Sequence, residues 1–165
     1  MVVCPPGNVW HDTAMTGSPS SPRPPEWPTA SILRHECADG TWHFDWLLAT
    51  RQPTGPDDRC ARAWRCTERP DRMRPGSTAA LEALPPHRAF YLALRRVHRL
   101  DGDRGEVHPV AQGDVAHEGD SARAGAAPEG PHITVQWRDG PRVSYRISNE
   151  RGGECVECVL VNSRT

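Results

Sequence analysis

Apolar and polar residues alternate with a period of two along much of the chain, a pattern typical of β-strands rather than of helices. The stretches that show this alternation are residues 42–48, 90–94, 132–137, 142–148 and 154–161. Short runs rich in Gly, Asp and Pro, which are typical of tight turns, occur at residues 38–40, 101–102, 139–141 and 151–153. Closely spaced strands predict a mainly all-β fold, a small antiparallel β-barrel or sandwich, and barrel closure would leave no sheet edge exposed.

One stretch has helical rather than alternating spacing. Residues 77–84 predict a single short helix, because Ser77 can cap its first turn. Leu81 and Leu84 are spaced to form one apolar face, and the prolines at residues 85–86 would end the helix.

Two segments have too few apolar residues to join a core. Pro, Ser and Gly dominate residues 1–28, which predicts a disordered tail. Residues 117–130 contain no periodic apolar positions and predict a flexible insert. The chain of 165 residues is therefore expected to hold a single domain over residues 29–165.

The formal net charge is −1 at pH 7, so the chain lacks the overall basic field typical of nucleic-acid-binding proteins. All 20 basic residues are Arg, which suits bidentate binding of phosphate, although a solvated surface is the default role for such side chains. The chain has neither a secretory signal pattern nor an apolar run that could span a membrane, so a cytoplasmic location is expected.

The 6 Cys are accordingly expected to be free thiols rather than disulfides. Cys155 and Cys158 form a C-x-x-C sequence, but they lie three residues apart in a predicted strand. Such positions point to opposite faces, so this pair does not predict a zinc site.

Residues 31–49 predict a β-hairpin whose loop is centred on Asp39. Residues equidistant from that position face each other, which pairs His35 with His43, and directly opposed Cβ atoms lie roughly 4.5–5.5 Å apart. Asp45 follows His43 by two residues and therefore points to the same face, whereas the intervening aromatic residues point to the other. The hairpin thus brings two imidazoles and one carboxylate together on a polar face.

Such a set of three ligands leaves coordination positions open for water and substrate, as a catalytic metal requires. Mn²⁺ or Zn²⁺ would suit these ligands. The competing interpretation is that His43 and Asp45 lie on the solvated face of an amphipathic strand, and the spacing alone favours this second interpretation.

Four sequence elements follow one another in a distinctive order: Arg34-His35 with Trp42-His43-Phe44-Asp45, then Ala63-Trp64-Arg65, then Pro86-His87-Arg88-Ala89-Phe90-Tyr91, and finally a glycine-containing turn at residues 100–107. Over about residues 31–161, this order resembles the 3′-phosphoesterase domain of bacterial end-joining DNA ligase D. The resemblance implies a β-barrel phosphoesterase that occurs here without the ligase and polymerase motifs.

The resemblance implies that His35, His43 and Asp45 bind a divalent metal, most suitably Mn²⁺, and that His87 and Tyr91 lie at the phosphate. The alternation of the sequence also predicts His87, Ala89 and Tyr91 on one face of an extended strand, although a loop histidine is the competing interpretation for His87. Further candidates for contacts with phosphate or nucleic acid are Arg34, Arg65, Arg88 and Arg104.

The implied activity is metal-dependent removal of 3′-phosphate or 3′-ribonucleotide groups from ends of DNA or RNA in non-homologous end joining. The implied partners are nucleic-acid 3′ ends and separate ligase or polymerase repair proteins, with no membrane contact and a monomeric chain.

Several positions depart from the pattern of the resembled family. Two extra residues lengthen the hairpin, Leu47 and Ala79 stand where arginines are expected, and Pro85 replaces an acidic residue. Loss of fixed guanidinium groups would remove stabilisation of charge on the phosphoryl group. An inactive module that binds nucleic-acid ends or a repair partner is therefore the alternative function, and a barrel enzyme of unrelated specificity is a third.

Overall fold

The computed structural model describes residues 27–116, 132–150 and 153–162. These ranges contain nine β-strands: β1 (Ala30–Glu36), β2 (Trp42–Ala49), β3 (Ala61–Cys66), β4 (Thr78–His87), β5 (His98–Arg99), β6 (Glu106–Ala116), β7 (His132–Trp137), β8 (Arg142–Glu150) and β9 (Gly153–Asn162). The helical elements in these ranges are two short 3-10 turns, Pro70–Arg72 and Ala89–Tyr91. Neither turn has the length or apolar character needed to cross a membrane.

The strands form one antiparallel sheet in the order β1-β2-β3-β4-β9-β8-β7-β6. Pairing of β6 with β1 closes this sheet into a barrel of eight strands, and β5 pairs with the first two residues of β6 outside the ring. The prediction of a mainly all-β antiparallel barrel is confirmed.

The barrel interior is an apolar core that receives side chains from strands around the ring. Trp46, Trp64, Trp137 and Tyr145 are its largest members and are at most 1% exposed. Trp137 donates its Nε1–H to the Tyr145 hydroxyl at 3.0 Å, and this hydroxyl donates to the Pro70 carbonyl at 2.8 Å. These bonds satisfy the polar atoms of Trp137 and Tyr145, whereas Nε1 of Trp46 has no partner among the described residues.

A second apolar cluster lies on the outer face of strands β1, β2 and β3. Leu33 and Leu47 belong to it, and residues 89–100 pack across them. The outer face of β1 and β2, which the alternation predicts to be polar, is therefore apolar and covered in its central part. It becomes polar towards the hairpin loop, where His35 and His43 lie.

Strand β4 occupies the position of the short helix that the sequence predicts for residues 77–84, and that prediction is wrong. The strand pairs with β3 on one side and with β9 on the other, and Ala79 and Leu81 belong to the interior core. A few apolar residues fit either spacing, and pairing with two neighbouring strands decides between them. The prolines at 85–86 lie where the register with β3 shifts, a position that tolerates missing N–H donors.

The strand predicted at residues 90–94 is also absent. Ala89–Tyr91 forms a 3-10 turn, so His87, Ala89 and Tyr91 do not share one strand face, contrary to the prediction. The backbone N–H groups of Ala89 and Phe90 donate to the carbonyls of Asp58 and Pro56, both at 2.8 Å. These two amides therefore find their acceptors in the β2–β3 loop rather than in a neighbouring strand, and the amides of residues 91–93 donate to carbonyls three residues earlier.

Two predictions fall largely or wholly outside the described residues: the disordered tail at residues 1–28 and the flexible insert at residues 117–130. Within the described part, Trp27 precedes β1 and packs against the outer apolar cluster. The described ranges contribute to one sheet, in keeping with a single domain.

Candidate metal centre and adjoining cleft

The β1–β2 hairpin brings together the three predicted metal ligands, His35, His43 and Asp45, which we call the metal set. Its register pairs His35 with His43, as the position of the turn predicts, and the two ring centroids are 4.8 Å apart. Asp45 follows on the same face of β2. Leu33 and Leu47 lie beside these residues, so the three ligands sit where the outer apolar cluster gives way to the polar end of the hairpin.

Asp45 is the most buried member of this set, with only 4% of its surface exposed. Its Oδ1 lies 3.2 Å from His43 Nε2, and its Oδ2 lies 3.8 Å from His35 Nδ1. Among the described residues, no donor forms a hydrogen bond with the buried Oδ1. A buried carboxylate oxygen without a donor is costly unless a cation compensates it.

The second nitrogen of each histidine also has a neighbour. His35 Nε2 lies 2.7 Å from the Arg104 carbonyl oxygen, and since a carbonyl only accepts, this nitrogen carries the proton and donates. His35 Nδ1 therefore keeps its lone pair on the side of Asp45. His43 Nδ1 lies 4.0 Å from Cys37 Sγ, on the other side of the ring from Asp45. Neighbours of this kind orient metal-binding imidazoles.

Burial changes the protonation of the set. It raises the pKa of Asp45 above the ordinary value of 3.8, against the opposing effect of His43. It also lowers the pKa of His43, against the opposing effect of Asp45. Both shifts favour the neutral side chains, whereas a divalent cation would favour the ionised carboxylate and keep the imidazole unprotonated. Asp45 contacts both imidazoles, and its unpaired Oδ1 suits a cation. The described residues at this place whose ligand atoms all lie within 4.8 Å of one another are His35, Cys37 and His43, so a metal held by His35, His43 and Asp45 requires a movement of these side chains.

A cleft of about 340 Å³ opens beside this set. His35 and Asp45 line it, together with His87 and Tyr91, which the resemblance assigns to the phosphate. The arginines that line it are Arg59, Arg88 and Arg104. The two groups of predicted site residues thus reach one cleft from separate elements of the fold.

His87 lies at the end of β4, and its ring centroid is 5.7 Å from that of Tyr91. Its Nδ1 is 2.8 Å from the Pro85 carbonyl oxygen and donates to it, which leaves Nε2 as the nitrogen available to a ligand. Pro85 stands where the resembled family has an acidic residue, and it supplies an acceptor through its backbone instead. The Arg88 guanidinium lies 5.5 Å from the centroid of the Tyr91 ring.

Two of the predicted arginines do not line the cleft. Arg34 immediately precedes a histidine of the metal set in β1, so its side chain points to the opposite face. There it pairs with Glu36 at 3.1 Å and lies 4.9 Å from the centroid of the Trp42 ring. Arg65 shares the outer face with the metal set but pairs with Glu82 at 3.2 Å.

Arg59 is a cleft residue that the sequence did not identify. It donates from Nη1 to the Pro86 carbonyl at 3.1 Å. It lies in the loop between β2 and β3, where no motif marks it. The two arginines that the resemblance predicts are replaced by buried residues, Leu47 in the outer cluster and Ala79 in the interior core. Arg59 therefore brings a guanidinium group to the cleft from another part of the chain.

His35 and Asp45 of the metal set, the His87–Tyr91 pair and the cleft arginines thus line one cleft although they come from separate segments of the chain. Comparison of the chain with protein-family models, with curated proteins and with solved structures finds no significant match.

Proposed function

We propose that this chain is a metal-dependent phosphoesterase that removes 3′-phosphate or 3′-ribonucleotide groups from ends of DNA or RNA during end-joining repair. The observation that carries the proposal is the convergence of two members of the metal set, His35 and Asp45, with the His87–Tyr91 pair and three arginines on one cleft. The order of the sequence elements that resemble the ligase D phosphoesterase domain supports the same activity.

The charges around the cleft favour a phosphate ligand. Arg59, Arg88 and Arg104 bring three guanidinium groups to a cleft whose lining includes one carboxylate, that of Asp45. Arg88 also pairs with Asp57 at 3.2 Å, but that carboxylate is 84% exposed and well solvated. The cleft is therefore locally basic in a chain whose net charge is −1, and such focused charge attracts anionic substrates.

The size of the cleft favours binding of the end of a nucleic-acid strand over binding of its middle. Its volume of about 340 Å³ lies near the lower limit of the ~300–1,000 Å³ typical of ligand sites. A terminal phosphate and its sugar fit such a space, and the rest of the nucleic acid stays outside. Contacts to the phosphate backbone position such a substrate without reading its sequence.

In the proposed hydrolysis, a water oxygen bonds to phosphorus, the bond to the 3′ oxygen breaks, and that oxygen takes up a proton. His87 in its imidazolium form, held at Nδ1 by the Pro85 carbonyl, donates this proton from Nε2. The attacking water gives up one proton to solvent, and uptake of a proton restores the imidazolium. The Tyr91 hydroxyl donates a hydrogen bond to the phosphate, and the cleft arginines stabilise its developing charge. A divalent metal held by the three hairpin ligands supplies, when bound, a Lewis acid for the phosphate oxygens and a lower pKa for a bound water.

The proposal places the protein in the cytoplasm, where nucleic-acid ends are repaired. The proposed partners are a ligase or a polymerase that uses the trimmed end. Mn²⁺ is the metal that we propose, because the resemblance to the ligase D phosphoesterase domain implies it and the carboxylate of Asp45 suits it.

The test is release of labelled phosphate from a primer–template with a 3′-phosphate, in the presence of Mn²⁺. We expect release by the wild type and none by His43→Ala, which loses a metal ligand. His108→Ala is the matched control, because His108 pairs with Glu106 at 2.9 Å and does not line the cleft. Release by His43→Ala at the wild-type rate, or no release by the folded wild type with any divalent metal, would refute the proposal.

A non-catalytic module that binds 3′ ends is the second candidate. Leu47 and Ala79 favour it, because both are apolar where the resembled family has arginines. Fluorescence anisotropy with the same 3′-phosphorylated primer–template separates the two functions. Binding without phosphate release supports the module, whereas release supports the enzyme.

A further inference from the structure

Cys37 lies directly beside the metal set, at the end of the hairpin. Its backbone N–H donates to the Thr41 carbonyl at 2.8 Å, and Asp39 Oδ1 accepts from the Thr41 N–H at 2.9 Å. These bonds fix the end of the hairpin, and Cys37 follows His35 by two residues on the same face of the chain. The thiol is therefore held in position next to His43, with Sγ 4.0 Å from Nδ1.

Two ligand sets share the same pair of histidines. Ligand atoms of His35, Cys37 and His43 all lie within 4.8 Å of one another, and Asp45 contacts the same two rings, that of His43 on the side away from Cys37. Nδ1 of His43 faces the sulfur, and Nε2 faces the carboxylate. A neutral imidazole has one lone pair and one N–H, so His43 serves one set at a time and donates its N–H towards the other.

We propose that His35, Cys37 and His43 form a second metal site for a thiophilic divalent ion such as Zn²⁺, which competes with the binding of Mn²⁺ by His35, His43 and Asp45. The inference rests on the metal set of the proposed function but not on its phosphoesterase chemistry. On binding, the Cys37 thiol loses its proton to solvent and the thiolate takes a coordination position. His43 then binds through Nδ1 and donates from Nε2 to Asp45.

The chemistry of the ligands separates the ions. Both sets contain two imidazoles, so the third ligand makes the difference: a thiolate favours Zn²⁺ over Mn²⁺, whereas a carboxylate is a ligand that suits Mn²⁺. Tetrahedral Zn²⁺ holds a sulfur and a nitrogen ligand roughly 3.5 Å apart. The 4.0 Å between Cys37 Sγ and His43 Nδ1 therefore has to shorten by only a small rotation of side chains at the end of the hairpin.

The experiment uses Co²⁺ as a spectroscopic substitute for Zn²⁺ in the full chain. Wild type, Cys37→Ser and Asp45→Asn are titrated with Co²⁺, and thiolate-to-cobalt charge-transfer absorption is recorded in the near ultraviolet. Cys155→Ser is the matched control, because Cys155 lies on β9, away from the hairpin. We expect the band in the wild type, Cys155→Ser and Asp45→Asn, its loss in Cys37→Ser, and its displacement by Zn²⁺.

Zn²⁺ affinity should fall by on the order of 100-fold or more in Cys37→Ser, since loss of a direct ligand costs at least as much as loss of an outer partner. Mn²⁺ affinity should fall far less in this variant, because the serine hydroxyl keeps a hydrogen-bonding group beside His43 Nδ1. Absence of the band in the wild type, or its persistence in Cys37→Ser, would overturn the inference. The proposed function is judged separately, because phosphate release with Mn²⁺ can persist when the band is absent, and the band can appear when no phosphate is released.

Discussion

Gly105 holds the turn at residues 101–105 against strand β1, and its replacement by alanine tests how the metal set is positioned. Its φ is +85°, a left-handed conformation that suits glycine. A Cβ added there would lie 1.8 Å from the carbonyl oxygen of Glu36. The neighbouring residue, Arg104, uses its carbonyl to accept the hydrogen bond from His35 Nε2 at 2.7 Å.

The loss of stability expected for Gly105→Ala has two contributions. A left-handed alanine costs ~1–2 kcal/mol whatever its surroundings. At Gly105 the turn must also move away by roughly 1.5 Å to restore ordinary van der Waals contact, which breaks the His35–Arg104 bond and costs about a further 1 kcal/mol. We therefore expect Gly105→Ala to lower the free energy of unfolding by about 2–3 kcal/mol and Tm by about 10 °C.

Gly102→Ala is the matched control. Gly102 lies in the same turn with φ +68°, and an added Cβ would meet nothing within 4 Å. It should therefore show the conformational cost alone, about 1–2 kcal/mol. Chemical denaturation measures both variants, and calorimetric titration with Mn²⁺ should show a loss of affinity of ~10–100-fold in Gly105→Ala but not in Gly102→Ala. Equal stability and equal Mn²⁺ affinity of the two variants would refute the positioning role of the turn.

Three further predictions concern the cleft. In metal-free protein, the raised pKa of Asp45 means that the protonated carboxyl stabilises the fold, and this contribution is lost as the pH rises from the ordinary value of 3.8 through the pKa of the folded state. Denaturation in the presence of a chelator should therefore show Asp45→Asn gaining stability relative to the wild type as the pH rises. A difference in stability that stays constant with pH would contradict the pKa shift. His87→Ala should lower kcat by ~10²–10⁴-fold and leave Mn²⁺ affinity unchanged, because His87 donates the proton to the leaving 3′ oxygen and does not bind the metal. An unchanged kcat in steady-state phosphate release would contradict this role. Arg59→Ala should raise KM for the 3′-phosphorylated substrate and weaken the dependence of KM on salt. Arg72 is the control, because its side chain is 70% exposed and lies outside the cleft, and Arg72→Ala should change neither quantity. Equal effects of the two substitutions would contradict a role for Arg59 in substrate binding.

The barrel and the hairpin are predictable from the sequence because their signals are local. Side chains alternate along each strand, and the position of the turn at residues 38–40 fixes the pairing of His35 with His43. The helix predicted at residues 77–84 and the strand predicted at residues 90–94 are wrong because short apolar runs fit either structure. Residues 78–84 are in a strand because β4 pairs with both β3 and β9. Residues 90–94 are not in a strand, and backbone bonds of Ala89 and Phe90 to the β2–β3 loop hold this segment instead.

The site could be predicted only in part, for the same reason. His35, His43 and Asp45 follow from one hairpin, and alternation within β1 already indicates that Arg34 points away from them. Arg59 reaches the cleft through the packing of a long loop, which no local pattern encodes. Cys37 becomes significant only once the orientation of the His43 ring is known, because the two nitrogens of that ring face different ligands.

The most direct test of the central claim is to titrate the wild type and Asp45→Asn with Mn²⁺ while measuring metal binding by electron paramagnetic resonance and phosphate release from a 3′-phosphorylated primer–template. The account predicts that binding and release rise together in the wild type, with a common midpoint, and that both are lost in Asp45→Asn. Release that does not follow occupancy of the metal site, or full occupancy with no release, would contradict the claim that this hairpin and cleft form the active centre of a phosphoesterase.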